Sequence, residues 1–174
     1  MEGGHGKYFV TRRVADHNGV ARLDRLRCIA VGAGNRVLGL DVGSRTIGVA
    51  VSDELGVAAH GVTTLQRRGT HKDVAQVLEV VRKYQADRIV VGMPYELDGS
   101  EGQRAKRVRV FFDALAGAGL TVEEWDERYS TVEAEETLLE ANLSRSRRKE
   151  VIDMMAAQVI LKGWLAARES PGQT

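Results

Sequence analysis

The order of apolar runs along the chain predicts an α/β fold: a five-stranded mixed sheet, three antiparallel strands and then parallel ones, with helices packed on its faces. Three short runs rich in β-branched residues follow one another between Val37 and Leu65. From Thr70 onward the apolar period changes, and helical and strand patterns alternate. The breaks between runs are short and marked by Gly, Ser or Pro, so neighbouring elements must also be neighbours in space.

Val37–Val42 is apolar up to Asp41-Val42-Gly43 and reads as a buried strand. Gly43-Ser44-Arg45 makes a tight hairpin to a second strand over Thr46–Asp53, and Val57–Leu65 completes a meander. Thr70 is placed to cap a helix, with Asp73 at the third position and Val74, Val77, Leu78 and Val81 along one side. Ile89–Gly92 is a compact strand ended at Met93-Pro94, because proline cannot donate to a ladder. A loop covers Tyr95–Gly102. Val108, Phe111, Phe112 and Leu115 mark the next helix, which stops near Gly117 and Gly119. Leu120–Trp125 is the fifth strand. Ser130 with Glu133 forms a capping box for another helix, and a final amphipathic helix runs over about 148–168, giving the order βββαβαβαα.

At 174 residues the chain fits one domain with a modest appendage. Aromatic residues make up only 5%, so the core must be mostly aliphatic. A formal net charge of +1 excludes a global basic field, and any nucleic-acid contact must come from local clusters. The lone Cys28 excludes an internal disulfide framework and the usual multi-cysteine zinc site. No stretch approaches the ~20 apolar residues that span a bilayer. Arg12, Arg13, Asp16 and His17 break up any secretory signal. These features point to a cytoplasmic protein with no membrane partner.

Residues 1–35 stand apart from the domain at 36–168 and from a flexible tail at 169–174. The first segment opens Gly-rich, shows no sustained periodicity, and carries six Lys or Arg against three acids. It reads either as a weakly ordered leader or as a basic arm that touches phosphates.

Four acids draw attention. Asp41 ends an apolar strand, where an unpaired charge would cost several kcal/mol. Gly39, Gly43 and Gly48 keep side chains away from it, which suits close approach of a metal or a phosphate; the alternative is a turn aspartate capping the hairpin. Asp126 and Glu127 close the fifth strand. Neighbouring strand residues point to opposite faces, so only one of them can share a site with Asp41, and the other caps or pairs with Arg128. From Asp153, the residues at offsets three, four, seven, eight and eleven are Ala156, Ala157, Ile160, Leu161 and Trp164, so the aspartate shares the buried face of its helix. A position near the helix N-terminus, favoured by the dipole, is the competing explanation. Carboxylate oxygens suit Mg²⁺ or Mn²⁺, and a pair of such ions can drive phosphodiester hydrolysis. The histidines at 5, 17, 60 and 71 lie away from these segments and form no nucleophilic triad.

The residues that carry these acids resemble the motifs of the YqgF/RuvX family. Val37-Leu-Gly-Leu-Asp-Val-Gly-Ser-Arg-Thr-Ile-Gly-Val-Ala-Val-Ser-Asp53 is similar to its opening motif. Val91-Gly-Met-Pro94 with Asp98-Gly-Ser100, Asp126-Glu-Arg-Tyr-Ser-Thr131, and Val151-Ile-Asp-Met-Met-Ala-Ala157 with Ile160-Leu161 resemble the later ones, in the same order. The likeness covers about 36–168. It implies a ribonuclease H-like fold related to the resolvase RuvC. It also implies a nuclease that processes the 5′ end of the 16S ribosomal RNA precursor, with Holliday-junction resolution as an older assignment. Carried over, the catalytic and metal-binding set is Asp41, Glu127 and Asp153, with Mg²⁺ or Mn²⁺ as cofactor. Glu96 departs from the small polar residue common after the proline, and is read as solvated or as an extra ligand at the mouth of the site.

Two basic clusters supply candidate contacts to a nucleic-acid partner, either an rRNA precursor or branched DNA. Arg104, Lys106, Arg107 and Arg109 open one helix; Arg145, Arg147, Arg148 and Lys149 lie in a polar loop before the last. Such contacts position a backbone without reading sequence. A solvated helix face explains the first cluster equally well. Resolution of a junction requires a symmetric homodimer, whereas trimming does not. Two other readings remain: a non-catalytic nucleic-acid-binding module, and an actin-like or hexokinase-like phosphate loop at Asp41-Val-Gly43, for which the chain has only half the required subdomains.

Overall fold

In β3 (Arg36–Val42), Leu38, Leu40 and Val42 go to one side of the sheet and Val37, Gly39 and Asp41 to the other, as the two-residue period of a strand requires. The computed structural model describes residues 12–15, 21–24, 35–129 and 145–169, with side chains over 35–128 and 149–168. Two short strands, β1 (Arg12–Ala15) and β2 (Ala21–Asp24), pair antiparallel within the N-terminal segment, where the sequence shows no sustained alternation.

The main sheet has the order β5-β4-β3-β6-β7. β4 (Thr46–Ser52) and β5 (Ala59–Gln66) pair antiparallel to complete the meander begun by β3. β6 (Ala86–Met93) and β7 (Val122–Asp126) add in parallel. Helices α1 (Thr70–Tyr84) and α2 (Gln103–Gly117) make the crossovers and cover one face, through Val77, Val81, Val108, Phe111 and Leu115. Helix α3 (Arg145–Glu169) covers the other face with Ala157, Ile160, Leu161, Trp164 and Leu165. Each of these larger side chains contributes roughly 1.5–3 kcal/mol by leaving water.

Helix α3 lies unusually close to the sheet. A Cβ at Gly39 would sit 2.7 Å from Leu161 Cβ and 2.9 Å from the Ala157 carbonyl, and one at Gly48 would overlap the Asp153 carbonyl. The space above Gly39 and Gly48 is thus filled by helix backbone and is not open to a ligand, which corrects the sequence reading of these two residues. Toward the helix C-terminus, Gly163 returns the favour by making room for the Trp125 ring, 2.9 Å from its would-be Cβ.

Two sequence expectations change in the structure, and a third falls on residues it does not describe. The cap of α1 is Gly69 and not Thr70, because Gly69 has φ 104°, a conformation open to glycine, and Thr70 is already helical. Arg145–Lys149 lie inside α3, not in a loop: Arg, Lys and Glu are good helix formers and extend the helix ahead of its apolar face. The helix expected after the Ser130–Glu133 capping box lies outside the described residues.

Asp73 still serves the start of α1, by reaching backwards. Fully buried, its carboxylate accepts the Arg68 amide at 2.7 Å and Arg67 Nε at 3.1 Å. Arg67 in turn donates through Nη1 to the Gly43 carbonyl at 3.0 Å, and its amide donates to the Arg45 carbonyl at 2.8 Å. The buried pair therefore braces the turn that follows Asp41. Breaking a buried pair leaves an uncompensated charge. Arg67 keeps some exposure and its Gly43 contact, so Asp73→Ala is expected to cost about 2 kcal/mol in urea unfolding. An unchanged unfolding midpoint would show that the pair does not brace the turn.

Candidate active site

Asp41 lies opposite Gly48 on β4. On its other side Leu40 pairs with Val91, so Asp41 falls beside Gly92 of β6. Asp41 is thus the one carboxylate in a row whose two neighbours lack side chains. Above Gly48 sits the backbone of Asp153. Above Gly92 sits the side chain of Glu127, whose Oε1 lies 2.7 Å from where a Cβ would be. Gly48 therefore admits the backbone of Asp153 on one side of Asp41, and Gly92 admits the side chain of Glu127 on the other. All three belong to the face covered by α3, near the C-terminal ends of the parallel strands, where open α/β sheets place their sites.

The electrostatics reflect this crowding. Burial raises the Asp41 carboxyl above its ordinary value; the Arg104 charge opposes the rise and Asp153 adds to it. Glu127 is pushed up to about 7, chiefly by burial and then by Asp41, with Arg104 again opposing. Asp153 Oδ2 is buried and has no hydrogen-bond partner among the described residues. An orphaned buried carboxylate oxygen costs free energy unless a cation or proton satisfies it.

Asp126 behaves differently from its neighbour. It takes Arg128 through a 2.6 Å ion pair and accepts the Arg128 amide at 3.0 Å, and these bonds hold its carboxyl below the usual range. The single 3₁₀ turn at Glu127–Tyr129 turns Glu127 toward Asp41 while Asp126 stays with Arg128. Arg128 also donates to the Leu97 carbonyl, which ties the loop after β6 to the end of β7.

The remaining candidates separate clearly. Arg104, exposed on the first turn of α2, acts on both Asp41 and Glu127. Arg107, one turn on, faces a groove beside the Gly43–Arg45 turn. Arg109 is withdrawn from any substrate role by ion pairs to Glu101 and Glu124, both at 2.6 Å. Lys149 is exposed, and the side chains of Arg145, Arg147 and Arg148 lie outside the described residues. Glu96 is exposed and folds over Gly102 at the start of α2. Among the described residues no three His, Cys, Asp or Glu side chains already stand at shared metal-binding distance. Sequence reasoning missed Gly92, whose role shows only once β6 is known to lie beside β3.

The raised Glu127 carboxyl makes a signed expectation for the metal-free protein. A carboxyl whose folded value exceeds its unfolded value of 4.5 stabilises the fold in full below pH 4.5. That contribution is lost as the pH rises to about 7. Stability should therefore fall across this window, and Glu127→Gln should flatten the fall. An identical pH profile in the variant would contradict the placement of Glu127.

A five-stranded mixed sheet of order β5-β4-β3-β6-β7 with helices on both faces is a ribonuclease H-like fold. The chain belongs to the RuvX family, described as Holliday junction resolvase, whose sequence pattern matches residues 35–167. It is 53% identical over 137 residues to a Myxococcus xanthus protein named "Putative pre-16S rRNA nuclease", covering 78% of this chain and 91% of that one. A protein of the same name from Symbiobacterium thermophilum is 54% identical over 134 residues, covering 76% and 93%. In fold it is similar to T. thermophilus RuvC in complex with Holliday junction substrate, with TM-score 0.51 and 18% identity over 78% of this chain and 96% of that one. Among the described residues no helix is long and apolar enough to cross a membrane.

Proposed function

We propose that this chain is a metal-dependent nuclease that trims the 5′ end of the 16S rRNA precursor, with Asp41, Glu127 and Asp153 as its catalytic, metal-holding acids. The observation that carries the reading is the glycine-flanked Asp41, with Asp153 and Glu127 admitted over Gly48 and Gly92. The relatives that share about half of their residues with it over nearly their whole length supply the substrate.

The donor set fits a hard divalent cation. It consists of carboxylate oxygens alone, one of them buried without a partner, which suits Mg²⁺ or Mn²⁺ better than a softer ion. Such ions, when bound, lower the pKa of a water and stabilise the leaving oxygen of a phosphodiester. The chain's own residues do the rest. Asp41 is fixed by a central strand that pairs on both sides, so its position is rigid. While no cation is present, the raised Glu127 carboxyl takes up a proton more readily than an ordinary glutamate, which limits repulsion among the acids. Arg104 offsets their charge and stands ready to meet a phosphate at the same place.

Junction resolution is the second reading, favoured by the family's description. One preparation tested on a precursor RNA and on a four-way DNA junction, with Mg²⁺ or Mn²⁺, separates the two. Trimming of the RNA with an intact junction is the expected result. Cutting of the junction alone would transfer the assignment to DNA, and binding of either without turnover would make the chain a non-catalytic module.

A further inference from the structure

Between the start of α1, helix α2 and the Gly43–Arg45 turn, Ser44, Arg67, Gly69, Arg107 and Val110 line an open groove of about 460 Å³. That size is within the range of sites that hold a nucleotide-sized group. Arg67 is already committed to Asp73 and the Gly43 carbonyl. Arg107 is exposed, and among the described residues it has no ion-pair partner and no carboxylate lines the groove. Its unmatched charge is therefore positive. Ser44 offers a hydroxyl from the turn that follows Asp41, and Val110, 61% exposed, offers an apolar surface.

Helix α2 contributes to both the groove and the acid site. Arg104 acts on Asp41 and Glu127, and Arg107 is three residues further along. Residues three apart are neighbours on a helix surface, about 5–6 Å between Cβ atoms. One helical turn thus carries one guanidinium to the acids and the next to the groove.

We propose that this groove binds a backbone phosphate of the nucleic-acid strand that flanks the cleavage site, held by Arg107 and Ser44, with Val110 against the adjoining sugar or base. A lone uncompensated cation is too weak to capture a free phosphate, but it adds to other contacts along a polyanion. The proposal rests on the nuclease reading for its substrate, and its test does not require cleavage.

Binding of a precursor stem RNA and of a four-way DNA junction should be measured in chelator over a range of salt. Arg107→Ala is expected to lower affinity about fivefold to tenfold for whichever nucleic acid binds, and to reduce the salt slope by about 0.7–0.9. Arg107→Lys should retain most of the slope, and Arg82→Ala, at the far end of α1, should change neither. Unaltered affinity and slope in Arg107→Ala would overturn the proposal, as would a loss no larger than that of Arg82→Ala. Loss of 5′-nucleoside monophosphate binding alone, with RNA and junction unaffected, would also overturn it and make the groove a free-nucleotide site. If Arg107→Ala shows the expected loss but the wild-type chain never cuts with metal, the nuclease reading fails and the phosphate site stands.

Discussion

Asp41→Asn is expected to abolish nucleic-acid cleavage, by at least about a thousandfold, while leaving the protein folded. The size follows from removing one charged ligand of a metal site that supplies several kcal/mol of transition-state stabilisation, each 1.4 kcal/mol being tenfold in rate. Folding should survive because the amide has nearly the shape of the carboxylate. The change also relieves a buried charge crowded by Asp153, so the metal-free variant should unfold no earlier than the wild type. Cleavage assays beside urea titrations check both parts. Equal cutting by variant and wild type would remove Asp41 from the mechanism.

Gly48→Ala is the second large expected effect, and it falls on stability and activity together. The new methyl group would overlap the Asp153 carbonyl in a helix backbone, which cannot yield as a flexible side chain does. Either α3 lifts away from β4 or the strand bends. Overpacking of this kind costs roughly 3 kcal/mol or more when backbone must move. Lifting α3 also carries Asp153 away from Asp41, so metal-dependent cutting should fall even under conditions where the variant is folded. Gly117→Ala is the matched control, since nothing lies within 4 Å of its would-be Cβ. A Gly48→Ala protein as stable and active as that control would contradict the close seating of α3.

Much of this was legible in the sequence because it depends on local period. The alternation around Asp41 and the apolar offsets after Asp153 each reveal a buried face without any knowledge of neighbours. Asp126 and Glu127 show why such reading stops: strand alternation says that only one can join Asp41, but the choice comes from the 3₁₀ turn and from Arg128. The glycines illustrate the same limit. Gly39 and Gly48 read as open space near an acid, yet the space is occupied by α3, and which element fills a gap is a tertiary fact. Gly92 carried no signal because its importance lies in being beside Asp41 across a parallel ladder. The cap at Gly69 was hidden by a neighbouring threonine of similar capping preference whose hydroxyl could accept a backbone amide, and the brace from Asp73 through Arg67 to Gly43 links positions far apart in the chain.

Titration of Mn²⁺ into the metal-free protein, read by the loss of the free-ion paramagnetic signal, tests the central claim most directly. Asp41→Asn, Glu127→Gln and Asp153→Asn should each weaken binding tenfold or more relative to wild type, while Asp126→Asn, whose carboxylate belongs to Arg128, should leave it near the wild-type value. Wild-type Mn²⁺ affinity in the Asp153→Asn or Glu127→Gln protein would mean that these acids do not share an ion with Asp41.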